Sequence, residues 1–298
     1  MGRMQIPDAQ VVDLRGPVSY REWPGPKART FVLSHGLGGA HVNWAQVAPG
    51  LAERGRVLVP DLAGFGDTPL AGRSATLTAN RELLSAFLEK LVGGSAVLIG
   101  NSMGGAISML QAALEPASVE ALVLSSSVFP WAKGARPAAI VMVGFALYRT
   151  PGVGRWLATR RFRHMDPEQA VRIGFRIITA DPRAIPTDVV LAHAELLRQR
   201  QRDLEAEEAF LQATRSLLSL GRRPEVSRRI LDGIASPVLV IHGRRDRLVP
   251  IEFAEAAVEE RPKWRLREFP DLGHVPQLEA PVRWLAAVTG WLDELDAA

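Results

Sequence analysis

The sequence predicts an α/β fold, with a mostly parallel central sheet flanked by helices and an inserted all-helical segment. Strand-type apolar runs alternate with helical patterns over most of the chain, which is typical of a parallel sheet with helices on both faces. That alternation stops between residues 129 and 227, where the patterns are helical. We therefore predict a core in two parts, residues 1–128 and 228–298, with a helical cap inserted at residues 129–227.

The individual elements follow from the apolar patterns, taken in chain order. Alternating runs at 11–15 and 18–23 predict a hairpin at a sheet edge, and continuous apolar runs predict buried parallel strands at 30–34, 56–60, 96–100 and 121–125. Helices are predicted from about 43 to 53, capped by Asn43, and at 76–92 and 103–114. Beyond the insertion, strands at 237–241 and 264–269 alternate with helices at 251–260 and 281–295.

The composition is that of a globular chain without cross-links. Of the 298 residues, 47% are hydrophobic and 23% are charged, which is enough apolar material for a large core. The chain holds no cysteine, which excludes disulfides and thiolate metal sites. His41, His164 and His193 have no metal-ligand spacing with one another or with a carboxylate. We therefore expect neither a metal nor a cofactor.

The charge and the apolar runs limit the classes of partner. The formal net charge is +4, with arginines clustered at 149–176 and 198–229, but no nucleic-acid-binding signature accompanies them. We interpret them as a solvated helical face, which leaves open only a transient contact with a lipid surface. The start of the chain lacks a signal-peptide pattern, and the longest apolar run, 138–148, is too short to span a bilayer, so a cytoplasmic location is expected. Nothing in the sequence predicts the oligomeric state.

One stretch carries the strongest chemical signal, namely Gly100-Asn101-Ser102-Met103-Gly104 between a predicted strand and a predicted helix. Gly-x-Ser-x-Gly in this setting is a nucleophile elbow, a tight turn that strains the serine backbone and exposes its hydroxyl. The two glycines remove Cβ atoms that would clash there. The N–H of Met103 would point from the helix N-terminus towards the same space. Ser102 is thus the predicted nucleophile.

A serine nucleophile needs a base, and the base needs a third group that holds it in one tautomer. In this fold the chain order is serine, acid, histidine. Asp246 follows the strand at 237–241 and His274 follows the strand at 264–269. Because loops after the carboxyl ends of parallel strands share one edge of the sheet, Ser102, Asp246 and His274 should meet. Asp271 lies nearer His274 in the sequence and is the alternative acid, but the acid of such a triad follows a strand of its own instead of lying beside the histidine.

Three further motifs accompany the elbow and Asp246, namely His35-Gly36-Leu37-Gly38-Gly39, Asp61-x-x-Gly64-Phe65-Gly66 and Gly273-His274. In this order the motifs resemble those of the α/β-hydrolase superfamily, over about residues 10–295 apart from the insertion. The resemblance implies Ser102 as nucleophile, His274 as base and then acid, and Asp246 as the orienting group. It also implies an oxyanion hole formed by the backbone N–H groups of Leu37 and Met103. His35 resembles the family's structural histidine, and Asp61 is interpreted as holding its own loop through backbone N–H groups. Members that cleave carbon–halogen bonds or epoxides carry aspartate at the elbow, so those activities are disfavoured.

The insertion suggests the nature of the substrate. Its first part, up to Tyr148, is apolar and aromatic together with the adjoining Val128 and should lie over the serine. Trp131 and Phe145 of this part, with Val249 beside the acid, are the predicted substrate-binding residues, although such residues at helical spacing also serve simple packing. An apolar cap favours an acyl or aromatic acyl group over a sugar or an amino acid.

We therefore expect a cofactor-free serine hydrolase of a carboxylic ester, of the monoacylglycerol or medium-chain type. An apolar ester or acid is its expected small-molecule partner. The elbow also resembles that of hydrolases that cleave a carbon–carbon bond in a vinylogous diketone acid, which would need a basic pocket for the substrate carboxylate. A third hypothesis is a ligand-sensing receptor with slow turnover, but such proteins usually have a smaller four-helix lid.

Overall fold

A computed structural model describes residues 5–26, 29–129, 143–144, 146–148, 150, 152–160, 164–203, 205–220 and 224–297. Its strands are β1 (Gln10–Asp13), β2 (Pro17–Trp23), β3 (Thr30–Ser34), β4 (Arg56–Pro60), β5 (Ala96–Asn101), β6 (Val119–Ser125), β7 (Val238–Gly243) and β8 (Arg265–Phe269). They form one eight-stranded sheet in the order β1-β2-β4-β3-β5-β6-β7-β8. The β1–β2 and β2–β4 pairs are antiparallel and all other pairs are parallel. The predicted mostly parallel α/β sheet with an edge hairpin is confirmed.

Helices cover the sheet and fill the insertion. They are α1 (Ala48–Ala52), α2 (Leu77–Leu91), α3 (Met103–Leu114), α4 (Val153–Thr159), α5 (Pro167–Ile178), α6 (Thr187–Arg200), α7 (Ala206–Ser219), α8 (Pro224–Asp232), α9 (Ile251–Glu259), α10 (Pro276–Glu279) and α11 (Pro281–Asp296). Short 3₁₀ turns lie at His41–Trp44, Pro116–Ser118 and Pro182–Ala184. Helices α4 to α8 stand between β6 and β7, and the described residues between those two strands include no strand.

The strands bury both faces because successive side chains point to opposite sides of a sheet. Val32, Leu98 and Leu122 pack on one face with α2 and α3, whereas Val97 and Val123 pack on the other with Trp284 of α11. Two apolar layers therefore fix the sheet, which explains the continuous apolar runs in the sequence.

The helix predicted from about 43 to 53 is wrong in its first half. The chain forms a 3₁₀ turn at His41–Trp44, and α1 begins only at Ala48. The Asn43 side chain accepts a hydrogen bond from the N–H of Ala40 (2.9 Å), so it stabilises the preceding loop instead of capping a helix. Pro49 lies in the first turn of α1, a position where its missing N–H breaks no hydrogen bond.

The insertion packs directly on the core. Helices α5 and α6 pack together, α6 contacts the 3₁₀ turn at His41–Trp44, and α7 contacts α2. Helix α8 packs on α3 and spans the predicted boundary between residues 227 and 228. The division into core and cap stays a prediction, but α5, α6 and α7 all lie close to the carboxyl edge of the sheet, where the site is found.

Candidate active site

The turn between β5 and α3 holds Ser102 in a backbone conformation that side chains rarely adopt, with φ +53° and ψ −116°. The N–H of Ser102 donates to the carbonyl of Ser125 (3.1 Å), which fixes the turn to β6. A Cβ on Gly100 would lie 2.5 Å from the carbonyl oxygen of Gly104, and a Cβ on Gly104 would lie 2.1 Å from that of Ser34. Only glycine fits at these two positions, so this turn requires the two glycines of the Gly-x-Ser-x-Gly signature.

The predicted acid and base are hydrogen-bonded to each other. His274 Nδ1 donates to Asp246 Oδ2 at 2.7 Å, and both side chains are buried. The other carboxylate oxygen, Oδ1, accepts from the N–H groups of Leu248 (2.8 Å) and Val249 (3.0 Å). With its Nδ1 proton engaged in this way, His274 keeps Nε2 available as a base. Ser102 and His274 line the same cavity.

Asp246 stays ionised in spite of its burial. Burial alone would raise the pKa of this carboxyl, but the adjacent His274 and the hydrogen bonds from His242 and His274 outweigh it and hold the pKa well below its usual value. A charged Asp246 would stabilise an imidazolium at His274. The alternative acid, Asp271, lies at the surface and pairs with Arg283 at 2.6 and 2.9 Å.

Sequence reasoning missed the residues that support this pair. His242, at the end of β7, donates from Nε2 to the carbonyl of Val249 (2.9 Å) and lies 3.3 Å from Asp246 Oδ2. Asn101 Nδ2 donates to the carbonyls of Ser125 (2.9 Å) and His274 (3.1 Å), which ties the elbow to the histidine loop. The signal that could have found both is their position, since each lies at the carboxyl end of a buried strand, close to where the predicted catalytic residues follow.

Glu279 anchors the histidine loop to the insertion. It accepts from the N–H of Gly273 (2.9 Å) and from that of Ala180 (2.7 Å), just past α5. The N–H of His274 in turn donates to the carbonyl of Ile178 (2.8 Å). The position of His274 therefore depends on the insertion as well as on β8.

The segment Gly36-Leu37 passes beside the serine. A Cβ on Gly36 would lie 3.2 Å from the Cβ of Ser102, and Leu37 lines the cavity. Met103 is the first residue of α3, and its side chain packs in the core. The backbone at Leu37 and Met103 thus flanks Ser102, and the role of these two N–H groups as oxyanion donors stays a prediction.

His35 stabilises this loop from behind. Its Nδ1 donates to the carbonyl of Gly36 (2.8 Å), and its Nε2 accepts from the N–H of Leu62 (3.1 Å). Burial lowers the pKa of His35, which keeps the ring neutral. With both nitrogens engaged by the backbone, His35 supports the loop rather than reacting.

One group of side chains has the proximity that a metal site would require. His41, Asp61 and Asp67 offer ligand atoms within 4.8 Å of one another, although their spacing in the sequence gave no sign of this. Asp61 accepts from the N–H of His41 (2.7 Å), from His41 Nδ1 (2.9 Å) and from the N–H of Asp67 (2.9 Å), while Asp67 pairs with Arg21 at 2.5 Å. The trio is a hydrogen-bonded cluster in which Asp61 fixes its loop, as the sequence suggested.

A cavity of about 480 Å³ opens over the serine. Core residues and helices α5, α6 and α7 line it, and Leu37 and Val249 are among its walls. Its phenylalanine and tyrosine residues are Phe65, Phe129, Tyr148, Phe175, Phe210 and Phe253. Of the predicted substrate-binding residues, Trp131 and Phe145 lie outside the described residues.

Two polar side chains of α6 also line this cavity, and the sequence did not identify either of them. His193 donates from Nδ1 to the carbonyl of Val189 (2.8 Å), and its buried Nε2 has no partner among the described residues. Arg200 is the last residue of α6. The interpretation of the arginines as a solvated face holds for Arg172, which pairs with Glu168 at 2.7 Å, but it is wrong for Arg200, whose Nη1 and Nη2 are shielded from solvent.

The fold and the site together define a class of protein. The model of the alpha/beta hydrolase family matches residues 31–288, so the chain belongs to that family. Within the part of the chain that the structure covers, no helix is both long and apolar enough to cross a membrane.

The chain is also similar to individual named proteins. The chain is 28% identical to 2-hydroxymuconate semialdehyde hydrolase of Pseudomonas sp. strain CF600 over 282 residues, 90% of this chain and 88% of that protein. It is 27% identical to Lipase 1 of Psychrobacter immobilis over 266 residues, 88% of this chain and 76% of that protein. The meta-cleavage product hydrolase of Pseudomonas fluorescens IP01 shares the fold with a TM-score of 0.76 at 20% identity, over 97% of this chain and 98% of that one.

Proposed function

We propose that the protein is a serine hydrolase that cleaves the carboxylic ester of an apolar acyl group. The observation that carries the proposal is the 2.7 Å hydrogen bond between His274 Nδ1 and Asp246 at the same cavity as the strained Ser102. This arrangement supplies a nucleophile, a base in a fixed tautomer and a charge that stabilises the imidazolium.

The chemistry follows from these positions. Ser102 Oγ attacks the ester carbonyl while His274 Nε2 takes its proton, and the N–H groups of Leu37 and Met103 stabilise the resulting oxyanion. His274 then gives the proton to the departing alcohol, which leaves an acyl-enzyme on Ser102. Water attacks the acyl-enzyme with His274 again as base, and the acid is released.

The cavity supports the choice of an apolar acyl group. Most of its walls are aliphatic or aromatic, and helices α5, α6 and α7 of the insertion supply one side of it. We infer that the insertion acts as a cap that excludes water and sets the length of acyl chain accepted.

The test is hydrolysis of p-nitrophenyl esters from acetate to palmitate by the wild type, Ser102→Ala and Ser108→Ala. Ser108→Ala is the control, because it also removes one hydroxyl from a buried serine, in the middle of α3. The hydroxyl of Ser108 has no hydrogen-bond partner among the described residues. Turnover that Ser102→Ala abolishes and Ser108→Ala retains supports the proposal. A folded wild type that hydrolyses no ester contradicts it.

A second candidate is hydrolysis of a carbon–carbon bond in a vinylogous diketone acid. It is favoured by the 28% identity to 2-hydroxymuconate semialdehyde hydrolase over nearly the whole chain. The same preparation assayed with a dienone carboxylate distinguishes the two, since the second candidate requires faster turnover of the dienone than of any ester.

A further inference from the structure

We propose that Arg200 is a carboxylate-binding residue of the catalytic cavity, and that the preferred esters carry a carboxylate remote from the ester bond. This inference rests on the proposed ester hydrolysis and specifies its substrate class as half-esters of dicarboxylic acids. It starts from one observation: both terminal nitrogens of Arg200 are buried and have no hydrogen-bond partner among the described residues.

The side chain is held in place without being neutralised. The guanidinium carbon lies 5.4 Å from the ring centroid of Phe65, and both residues line the cavity that contains Ser102. Burial lowers the pKa of Arg200, but an arginine starts so far above neutral pH that it remains charged. The end of α6 also favours a cation, because unpaired carbonyls gather at a helix C-terminus.

The nearest carboxylates are already engaged elsewhere. Asp61 accepts three hydrogen bonds from His41 and Asp67, and Asp67 pairs with Arg21. Asp203 accepts from the N–H of Glu205 at 2.9 Å. These charges lie close enough to favour the protonated guanidinium, yet none of them forms an ion pair with Arg200 among the described residues.

A buried, unpaired charge is strongly destabilising, and a binding partner offsets that cost. Arg200 carries the only formal charge among the described residues that line the cavity, and their other side chains are apolar or neutral. Its planar fork of N–H donors matches a carboxylate in a bidentate geometry. The chemistry that would recognise this site is therefore an apolar acyl chain that ends in a carboxylate.

The test compares p-nitrophenyl octanoate with the mono-p-nitrophenyl ester of octanedioic acid, and extends to half-esters with shorter and longer chains. We expect the wild type to have at least a tenfold higher kcat/KM for the best half-ester than for the neutral ester of equal length. Arg200→Met should lower this ratio by roughly tenfold to a hundredfold, the range of a charged hydrogen bond. Arg198→Met is the matched control, because Arg198 lies on the same helix, is half exposed and pairs with Glu195.

Stability separates recognition from a structural role. Removing an unpaired buried charge should leave the Tm of Arg200→Met equal to or above that of the wild type, whereas a structural arginine would lower it. Should Arg200→Met fail to fold, Arg200→Lys keeps the charge, loses the fork and should still reduce the ratio. A wild type that prefers the neutral ester, or a ratio unchanged in the Arg200 variants, overturns the inference.

Calorimetry with Ser102→Ala keeps this inference distinct from the proposed function. Octanedioate should bind Ser102→Ala and should bind the Ser102→Ala/Arg200→Met double variant at least tenfold more weakly. If no ester is turned over but this binding pattern appears, ester hydrolysis fails and the carboxylate site stands. If esters are turned over but the binding of octanedioate does not depend on Arg200, ester hydrolysis stands and the carboxylate site fails.

Discussion

Replacing Asp246 with asparagine probes the acid–base pair at the level of single atoms. Asp246 Oδ1 accepts from the N–H groups of Leu248 and Val249 at 2.8 and 3.0 Å, so the amide oxygen of the variant must stay there. The amide NH₂ then takes the place of Oδ2 and faces His274 Nδ1, 2.7 Å away in the wild type. Flipping the amide would set its NH₂ against two backbone donors.

The substitution therefore forces His274 to accept at Nδ1, which moves its proton to Nε2, the atom that takes the proton of Ser102 in the proposed mechanism. Loss of the correct tautomer should lower kcat by about a thousandfold to ten-thousandfold, or roughly 4 to 5.5 kcal/mol in the barrier. The measurement is kcat for the best ester at neutral pH, with circular dichroism to verify folding.

Asp271→Asn is the control, because Asp271 pairs with Arg283 at the surface and should alter kcat by less than about threefold. A mild effect of Asp246→Asn together with a severe effect of Asp271→Asn would refute the assignment of the orienting acid.

Two further predictions concern stability. Because Ser102 has φ +53°, Ser102→Gly should be more stable to urea than Ser102→Ala by about 1 kcal/mol. At Ser108, in the middle of α3, the alanine variant should instead be more stable than the glycine variant. The same order of stability at both sites would contradict backbone strain at the elbow. Burial lowers the pKa of His193 from 6.5 to about 4, so the unfolded chain binds its proton first and stability falls as pH drops from 6.5 towards 4. The loss is about 3 kcal/mol, and His193→Gln should lack this part of the pH dependence in urea titrations, whereas an unchanged pH slope would contradict it.

The parts of the site that could be predicted from the sequence lie at the ends of strands. Asp246 follows β7 and His274 follows β8, and parallel pairing brings their loops to the edge that holds Ser102. An apolar run is enough to predict a buried strand. The residues that follow such a strand can therefore be placed at the carboxyl edge of the sheet without knowledge of the tertiary packing.

The parts that escaped prediction depend on which neighbours a side chain meets. Asn43 had the residue type of a helix cap, but the nearby N–H of Ala40 engages it instead. Arg200 lies in a run of charged residues that is typical of a solvated helix face. Its guanidinium is nevertheless buried, because tertiary packing places it over the ring of Phe65. His41 and Asp61 are 20 positions apart and come together through two loops.

The most direct measurement is the covalent capture of the nucleophile by an organophosphonate, read by intact mass and peptide mapping. We predict one adduct per wild-type chain, located on Ser102, slower formation of that adduct in Asp246→Asn and no adduct in Ser102→Ala. A stoichiometric adduct on another residue, or ester turnover that persists in Ser102→Ala, would contradict Ser102 as the nucleophile.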